Sequence, residues 1–364
     1  MPRPGVEFIN PTIRASAATV VHQINPALRR LQWNENPYDF PADLKEEVLQ
    51  QLGQIPWSRY PLGLRAYDLM EALGAFHHVD AGQVVVGNGS SDLLPLVIGA
   101  VLSAGDHMVA PTPTFQAYRR HALIAGATVH EIPLDSTADF ALPVDAILAQ
   151  ARRCRAKLIV VCAPNNPTGT VYAPADLRRI VAESDAFVMI DAAYGEFSGQ
   201  DLRPLLAEFD NVVSVHTFSK AFALAGARIG YVLAAPSVAA ELQKLVTAFT
   251  LSPFSEIAAR VALRHFDRFR IGIERIVAER ERLAANLAAL PGVHVFSSGT
   301  NFLFVRLPQP AAPLHNELQR RHGLLVSTAG YPGYENYLRI SVGAPADNEL
   351  LVAALADHLA GQPV

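Results

Sequence analysis

The feature that most constrains this chain is a recurrence of short, unbroken apolar runs with helical patterns between them. The runs stand at Val84–Val86, Met108–Ala110, Thr128–Ile132, Leu158–Ala163, Phe187–Ile190, Val212–Val215 and Ile229–Leu233. Their apolar residues are contiguous rather than alternating, so each strand is expected to be covered on both faces. Stretches such as Asp176–Glu183 carry the helical period that can cover them. The pattern reads as an α/β unit with a mostly parallel sheet. A longer helical stretch, from about Ser255 to Leu290, follows and stops at Pro291-Gly292. Its charges at Arg260, Arg264, Arg268, Glu274, Glu279 and Arg282 read as a solvated face. Val293–Phe296, Phe302–Leu307, Leu324–Val326 and Tyr337–Ser341, with helices between and after them, read as a smaller α+β domain. Residues 1–40 are rich in Pro and Asn and read as an arm docked through Phe8, Trp33, Tyr38 and Phe40. The expected boundaries are 1–40 for the arm, which contributes to the small domain, 41–250 for the large domain, and 251–364 for the small domain with its long connecting helix.

Composition narrows the class of partner. Half of the 364 residues are hydrophobic and 18% are charged, enough for a sizeable core and incompatible with global disorder. The formal net charge is −4 with both signs interspersed, which leaves no footprint for nucleic acid or for a polybasic membrane contact. A small-molecule substrate is expected. Cys154 and Cys162 are too few for a disulfide framework and suit a reducing compartment; Cys162, inside an apolar run, reads as buried and inert. The first residues, Met1-Pro2-Arg3-Pro4-Gly5, show no apolar stretch of signal-peptide length, and no run reaches the ~18 apolar residues of a membrane span. A cytoplasmic location is the expectation. His77 and His78 are adjacent, so in a helix they point about 100° apart and form no metal pair.

The chemistry-bearing residues stand where apolar runs end, the place where open α/β sheets bind ligands. Val84–Val86 runs into Gly87-Asn88-Gly89-Ser90-Ser91 and then a helix, whose N-terminus can approach a phosphate. The third glycine of a dinucleotide fingerprint is missing, and no Gly-Lys-Ser/Thr loop occurs. Leu158–Cys162 ends in Ala163-Pro164-Asn165-Asn166-Pro167-Thr168-Gly169. Phe187–Ile190 ends in Asp191-Ala192-Ala193-Tyr194. Val212–Val215 ends in His216-Thr217-Phe218-Ser219-Lys220, with Arg228 farther on.

Singly these are ordinary turns, caps and surface groups. Together they supply what pyridoxal 5'-phosphate demands. Lys220 offers an amine for a Schiff base. Asp191 can keep the pyridine nitrogen protonated, and Asn166 and Tyr194 can bond the ring's phenolate oxygen. Gly89, Ser90, Thr217, Ser219 and Arg228 suit the phosphate. Phe115, in Pro113-Thr114-Phe115, can stack on the ring.

In this order, and with the late Tyr337-Leu338-Arg339-Ile340-Ser341, the motifs resemble the class I/II aminotransferases of fold type I. Thr217–Gly230 resembles the lysine segment of the histidinol-phosphate aminotransferase branch, and Asn34-Glu35-Asn36-Pro37 and Arg59-Tyr60-Pro61 match that branch's N-terminal motifs. The resemblance spans about residues 30 to 345. It implies a large domain with a mostly parallel seven-stranded sheet covered by helices, plus a smaller α+β domain. It also implies transamination between an L-amino acid or amino-acid-like amine, such as histidinol phosphate, and 2-oxoglutarate. Carried over by residue, Lys220 holds the cofactor and moves the Cα proton, with Asp191 and Tyr194 beside it in the catalytic set. Ser91 joins the phosphate ligands. Arg339 clamps the substrate carboxylate, with Asn166, Asn36 and Trp33 also at the substrate. Tyr60 reaches the cofactor phosphate of a neighbouring subunit, so a homodimer with shared active sites is implied. An amino-acid decarboxylase, or another enzyme of the same fold type, is the alternative.

Departures from the branch bear on the substrate. The branch carries a further arginine upstream of the carboxylate arginine, in a Val-Arg-like dipeptide; here Leu325-Val326 is followed by Ser327-Thr328. Leu62-Gly63 follows Tyr60-Pro61 where Asp-Pro is common. A neutral or aromatic amino acid is therefore expected to compete with a phosphorylated donor, in a pocket lined by Trp33, Tyr331 and Tyr334. Arg29, Arg30 and Arg321 are the basic groups that could replace the missing arginine.

Overall fold

In the computed structural model, residues 4–15 and 25–360 are described. The strands, in chain order, are β1 (Arg29–Leu31), β2 (Val84–Gly87), β3 (His107–Thr112), β4 (Thr128–Pro133), β5 (Leu158–Cys162), β6 (Phe187–Asp191), β7 (Val212–Thr217), β8 (Gly230–Ala234), β9 (His294–Val295), β10 (Phe302–Arg306), β11 (Leu324–Thr328) and β12 (Tyr337–Ser341). Every apolar run singled out in the sequence is one of them.

Seven strands form the large sheet, in the order β2-β8-β7-β6-β5-β3-β4. From β3 to β7 all pairings are parallel, and β8 runs antiparallel to both β2 and β7. Its two faces are packed differently. Ile159, Val161, Val188 and Ile190 face a core built with the helices Ala42–Gly53, Tyr67–His77 and Pro253–Arg264. Leu158, Val160, Cys162 and Met189 face the helices Ser90–Val101 and Ala117–Ile124. Full burial of each such aliphatic side chain contributes about 1.5–3 kcal/mol, so the centre of this sheet is a stiff floor. Register aligns the strand ends: Cys162 pairs with Asp191, Asp191 with Val215, and Gly230 with both Thr217 and Gly87.

The second sheet has five strands in the order β1-β11-β12-β10-β9. Strand β1 comes from the N-terminal segment and pairs parallel with β11, Arg29 opposite Leu324. Leu283 and Leu287 pack into this sheet's core from the long helix.

The structure corrects three expectations. The stretch 255–290 is two helices, Pro253–Arg264 and Phe266–Ala288, broken at His265 (φ −111°, ψ 30°). Neither proline nor glycine marks the break. Arg264 and His265 both turn onto Glu47 of the helix Ala42–Gly53, His265 Nε2 at 3.1 Å. Glu279 is not part of a solvated face. It is buried, and against that burial Arg282 (2.8 Å) and Asn348 (2.7 Å) hold its carboxyl below the usual range. Of the arm's aromatics, Phe40 docks against Phe269, with ring centroids 5.3 Å apart, whereas Phe8 is exposed. Among the described residues no helix is long and apolar enough to cross a membrane.

Candidate active site

Four strand ends and one crossing segment meet at a single place. Asp191 closes β6 and is buried. Its Oδ2 accepts from the Tyr118 hydroxyl at 2.6 Å and its Oδ1 from the Ala193 N–H at 3.1 Å. Burial pushes this carboxyl up, and those two bonds oppose the push. No ion pair holds Asp191 among the described residues, so a buried carboxylate is left facing the site without a cation. Tyr194, just past β6, is also buried; its hydroxyl accepts from Asn34 Nδ2 at 2.9 Å and from Asn166 Nδ2 at 3.4 Å. Burial raises this phenol's pKa, with the Arg339 charge working the other way.

Lys220 lies beyond β7, its Nζ donating to the Trp33 carbonyl at 2.8 Å. Burial, with repulsion from Arg339 and Arg228 and a smaller opposing pull from Glu35, brings the amine down to about 8. At neutral pH such an amine is neutral far more often than a free lysine, as a nucleophile and base requires.

The sequence builds an anion cradle where β2, β7 and β8 meet. Gly89 precedes the helix Ser90–Val101 with φ +83°, and no side chain caps that helix. A Cβ on Gly89 would lie 2.6 Å from Arg228 Nη2, and one on Gly230 would lie 2.4 Å from the Ser90 nitrogen. Only glycines let the guanidinium and the helix N-terminus converge there. Thr217 Oγ1 lies 2.9 Å from Ser219 Oγ and accepts the Ser219 N–H at 3.1 Å. Ser91, the next residue of the helix, is exposed. Phe115 is partly exposed and makes an edge-to-face pair with Tyr118 at 5.6 Å.

The far side belongs to the small sheet. Arg339, in the middle of β12, donates Nη1 to Asn166 Oδ1 at 2.8 Å and Nη2 to the Gln32 carbonyl and to Ser327 Oγ, the latter at 3.2 Å. Its Nε is buried without a hydrogen-bond partner. Ser327 stands directly opposite Arg339 in the β11–β12 register and donates to the Gln32 carbonyl at 3.0 Å. The residue in the expected arginine's place thus steadies Arg339 and adds no charge. The three alternative arginines are each ion-paired: Arg29 with Asp347 (3.1 Å), Arg30 with Glu35 of the segment that crosses the site (3.4 Å) and Arg321 with Glu317 (2.8 Å). Of these, Arg30 lines a cavity of about 490 Å³ that reaches Ser219.

Gln32–Asn36 is a strap across all of these groups. Gln32 receives Arg339 and Ser327, Trp33 receives Lys220, and Asn34 bonds Tyr194. Asn36 Nδ2 donates to the carbonyls of Lys220 (3.1 Å) and Ala221 (3.4 Å), so its amide is bound to the lysine loop. Trp33 is half exposed at the site's mouth. Tyr331 is held at the Thr114 backbone and feels Arg339, which puts it beside the mouth as well. Tyr334 is elsewhere, packed on Tyr337 and Phe140 with centroids 5.0 and 6.2 Å away. Tyr60 is exposed and stacked on Phe249 at 4.5 Å, outside this cluster. Sequence reasoning missed Tyr118, Asn34 and Ser341. Only Tyr118 left a local signal, three residues beyond Phe115 on the same turn of a helix start.

Residues 28–355 match the family described as aminotransferase class I and II. A histidinol-phosphate aminotransferase of Chlorobium luteolum is 38% identical over 353 residues, covering 96% of this chain and 98% of that protein. The crystal structure of histidinol-phosphate aminotransferase from Sinorhizobium meliloti, in complex with pyridoxal-5'-phosphate, is similar with a TM-score of 0.87 at 24% identity, over 97% of this chain and 98% of that one. L-threonine-O-3-phosphate decarboxylase from Porphyromonas gingivalis is similar with a TM-score of 0.79 at 23% identity, over 91% and 99%. At these identities the two structures speak to the fold alone.

Proposed function

We propose a substrate and residue roles for a chain that belongs to the class I and II aminotransferases and is, as such, a pyridoxal 5'-phosphate-dependent aminotransferase. The residues present fit that cofactor: a buried carboxylate lacking a cation suits a pyridinium nitrogen, and the Gly89–Arg228 cradle suits a phosphate. When bound, the cofactor supplies an electron-accepting ring that makes the substrate Cα–H bond acidic. We assign Lys220 to holding it covalently and to carrying the Cα proton, which its depressed pKa supports. Asp191 keeps the ring nitrogen protonated, and Tyr194 and Asn166 donate to the ring oxygen. Gly89, Ser90, Ser91, Thr217, Ser219 and Arg228 hold the phosphate, and Phe115 covers the ring face.

The observation that carries the reading is the convergence of Lys220, Tyr194 and Arg339 under one strap, with Asp191 three residues before Tyr194. Arg339 grips the anionic group of the substrate, and its hold by Asn166, Gln32 and Ser327 orients the Cα–H bond. We assign 2-oxoglutarate as amino acceptor. For the donor, the relatives favour histidinol phosphate, and Ser327 favours weak discrimination for phosphate, with Trp33 and Tyr331 offering aromatic walls. The donor is thus an amino-acid-like amine, with aromatic amino acids competing. We assign a homodimer in which Tyr60 serves the partner's cradle; the exposed Trp57, Tyr60, Leu62 and Leu64 support it. Residues 41–250 carry the cofactor assignments except Tyr60's partner role, and 251–364 carry the substrate arginine.

The experiment compares kcat/KM for histidinol phosphate, phenylalanine, tyrosine and leucine at fixed 2-oxoglutarate, with product analysis. Keto product and glutamate are expected, with less than about a hundredfold preference for histidinol phosphate, or some 2.7 kcal/mol. Amine and carbon dioxide would replace transamination by decarboxylation.

A further inference from the structure

We propose that Asn34 is a positioning residue for the reaction, its amide turning the Tyr194 hydroxyl proton toward the cofactor's ring oxygen; this rests on the role assigned to Tyr194 above. A phenol has one proton to give and two lone pairs to receive with. Tyr194 Oη, buried, already receives Asn34 Nδ2–H at 2.9 Å and Asn166 Nδ2–H at 3.4 Å. Its acceptor capacity is filled from the protein side, so its own proton has to be given to something else in the site.

The direction of the Asn166 amide is set by its other atom. Asn166 Oδ1 accepts from Arg339 Nη1, a group that can only donate, so Asn166 Nδ2 is left for Tyr194. Asn34 Oδ1 accepts from the Ser341 hydroxyl at 3.1 Å, while Ser341 Oγ accepts the Asn34 backbone N–H at 2.8 Å. Asn301 Nδ2 donates to the Asn34 carbonyl at 2.9 Å. Asn34 is therefore gripped by β12 and by the segment before β10 and reaches across to the end of β6. Its backbone sits at φ +53°, a left-handed conformation that asparagine tolerates better than most side chains. Burying a polar side chain at 1% exposure in that conformation is costly unless its polar atoms find partners, and here Oδ1 and Nδ2 each have one.

A mere structural hook would leave the cofactor's electronics alone, and that separates the two roles. The test is the pH titration of the holoenzyme's absorbance band. Asn34→Gly keeps the left-handed backbone and deletes the amide. Asn34→Asp reverses the contact, because a carboxylate accepts only and draws the Tyr194 proton to itself. Each change deprives the ionised ring oxygen of a donor, so the titration midpoint should rise, by about half a unit to one unit in Asn34→Gly and further in Asn34→Asp. Tyr194→Phe should raise it too, and adding Asn34→Gly to Tyr194→Phe should change nothing more. A midpoint unmoved by either Asn34 variant, or an Asn34→Gly shift that adds fully to that of Tyr194→Phe, overturns the proposal and leaves the Tyr194 assignment standing. A midpoint unmoved by Tyr194→Phe, or no absorbance band at all, overturns that assignment and the proposal with it.

Discussion

The cofactor end and the substrate end of the site are built differently. Asp191, Tyr194, Asn166 and Thr217 stand on or just past adjacent strand ends of one buried sheet, locked by register. Arg339 and Ser327 stand on a five-stranded sheet whose first strand is borrowed from the N-terminal segment. The strap and the Arg339–Asn166 hydrogen bond join the two. The first end fixes which chemistry is possible, because its polar groups cannot move without breaking a core packed on both faces. The second end fixes what is admitted, because one side chain there can change sides without touching the floor beneath.

The sharpest way to break this comparison is at the cofactor end. Lys220→Ala should retain cofactor non-covalently, lose borohydride fixation, and lose several powers of ten in turnover, since two roles sit on one amine. Mixing such subunits with Tyr60→Phe subunits should restore part of the activity through hybrid dimers. A fully active monomer, or near-normal turnover in Lys220→Ala, would break the assignment.

A smaller effect is expected at the substrate end. Ser327→Arg should raise kcat/KM for histidinol phosphate relative to phenylalanine by about ten- to a hundredfold, the weight of one bidentate charge-assisted contact of roughly 1.5–3 kcal/mol. Loss of all activity instead would mean that Arg339 depends on the Ser327 hydroxyl for its pose.

The smallest effect is on stability. Burial raises the Asp191 carboxyl, so the folded, cofactor-free chain keeps that proton to higher pH than the unfolded chain does. Its stability therefore falls as pH climbs from the ordinary carboxylate range through the raised value, and stays lowered above it. In cofactor-free protein at neutral pH, Asp191→Asn should melt higher by roughly a few degrees, an advantage that disappears on acidification. The same variant should bind cofactor more weakly and lose most turnover. Equal melting curves at both pH values would mean that the carboxylate is not under strain.

The two ends also differed in how far they could be read from sequence. Strand runs and the turns that follow them are contiguous, so Asp191-x-x-Tyr194, Asn165–Gly169 and Ser219-Lys220 announced themselves by composition and order. The mostly parallel sheet followed from the same runs, and its seven strands from the family resemblance. What stayed hidden are contacts made across the chain. Tyr118 reaches Asp191, Ser327 faces Arg339, and Asn34 meets Ser341, and beyond Tyr118's place three residues after Phe115 no local pattern marks these contacts. Tyr334, expected in the pocket, instead fills an aromatic cluster with Phe140, Phe304 and Tyr337. The break at His265 escaped for a related reason: it is imposed by Glu47, and the helical period runs through it undisturbed.

The strap also dictates an order of assembly. A chain is synthesised from its N-terminus, so the strap leaves the ribosome before the groups it binds do. Its partners come far later: Tyr194 lies 160 residues downstream of Asn34, Lys220 187 downstream of Trp33, and Ser341 307 downstream of Asn34. The large sheet can form on the nascent chain while the strap waits, but β1 finds no neighbour until β11 emerges. Closing such long loops is the slow part of folding. The catalytic groups therefore come together only after β12 has left the ribosome, and no chain cut short before it can carry a finished active site.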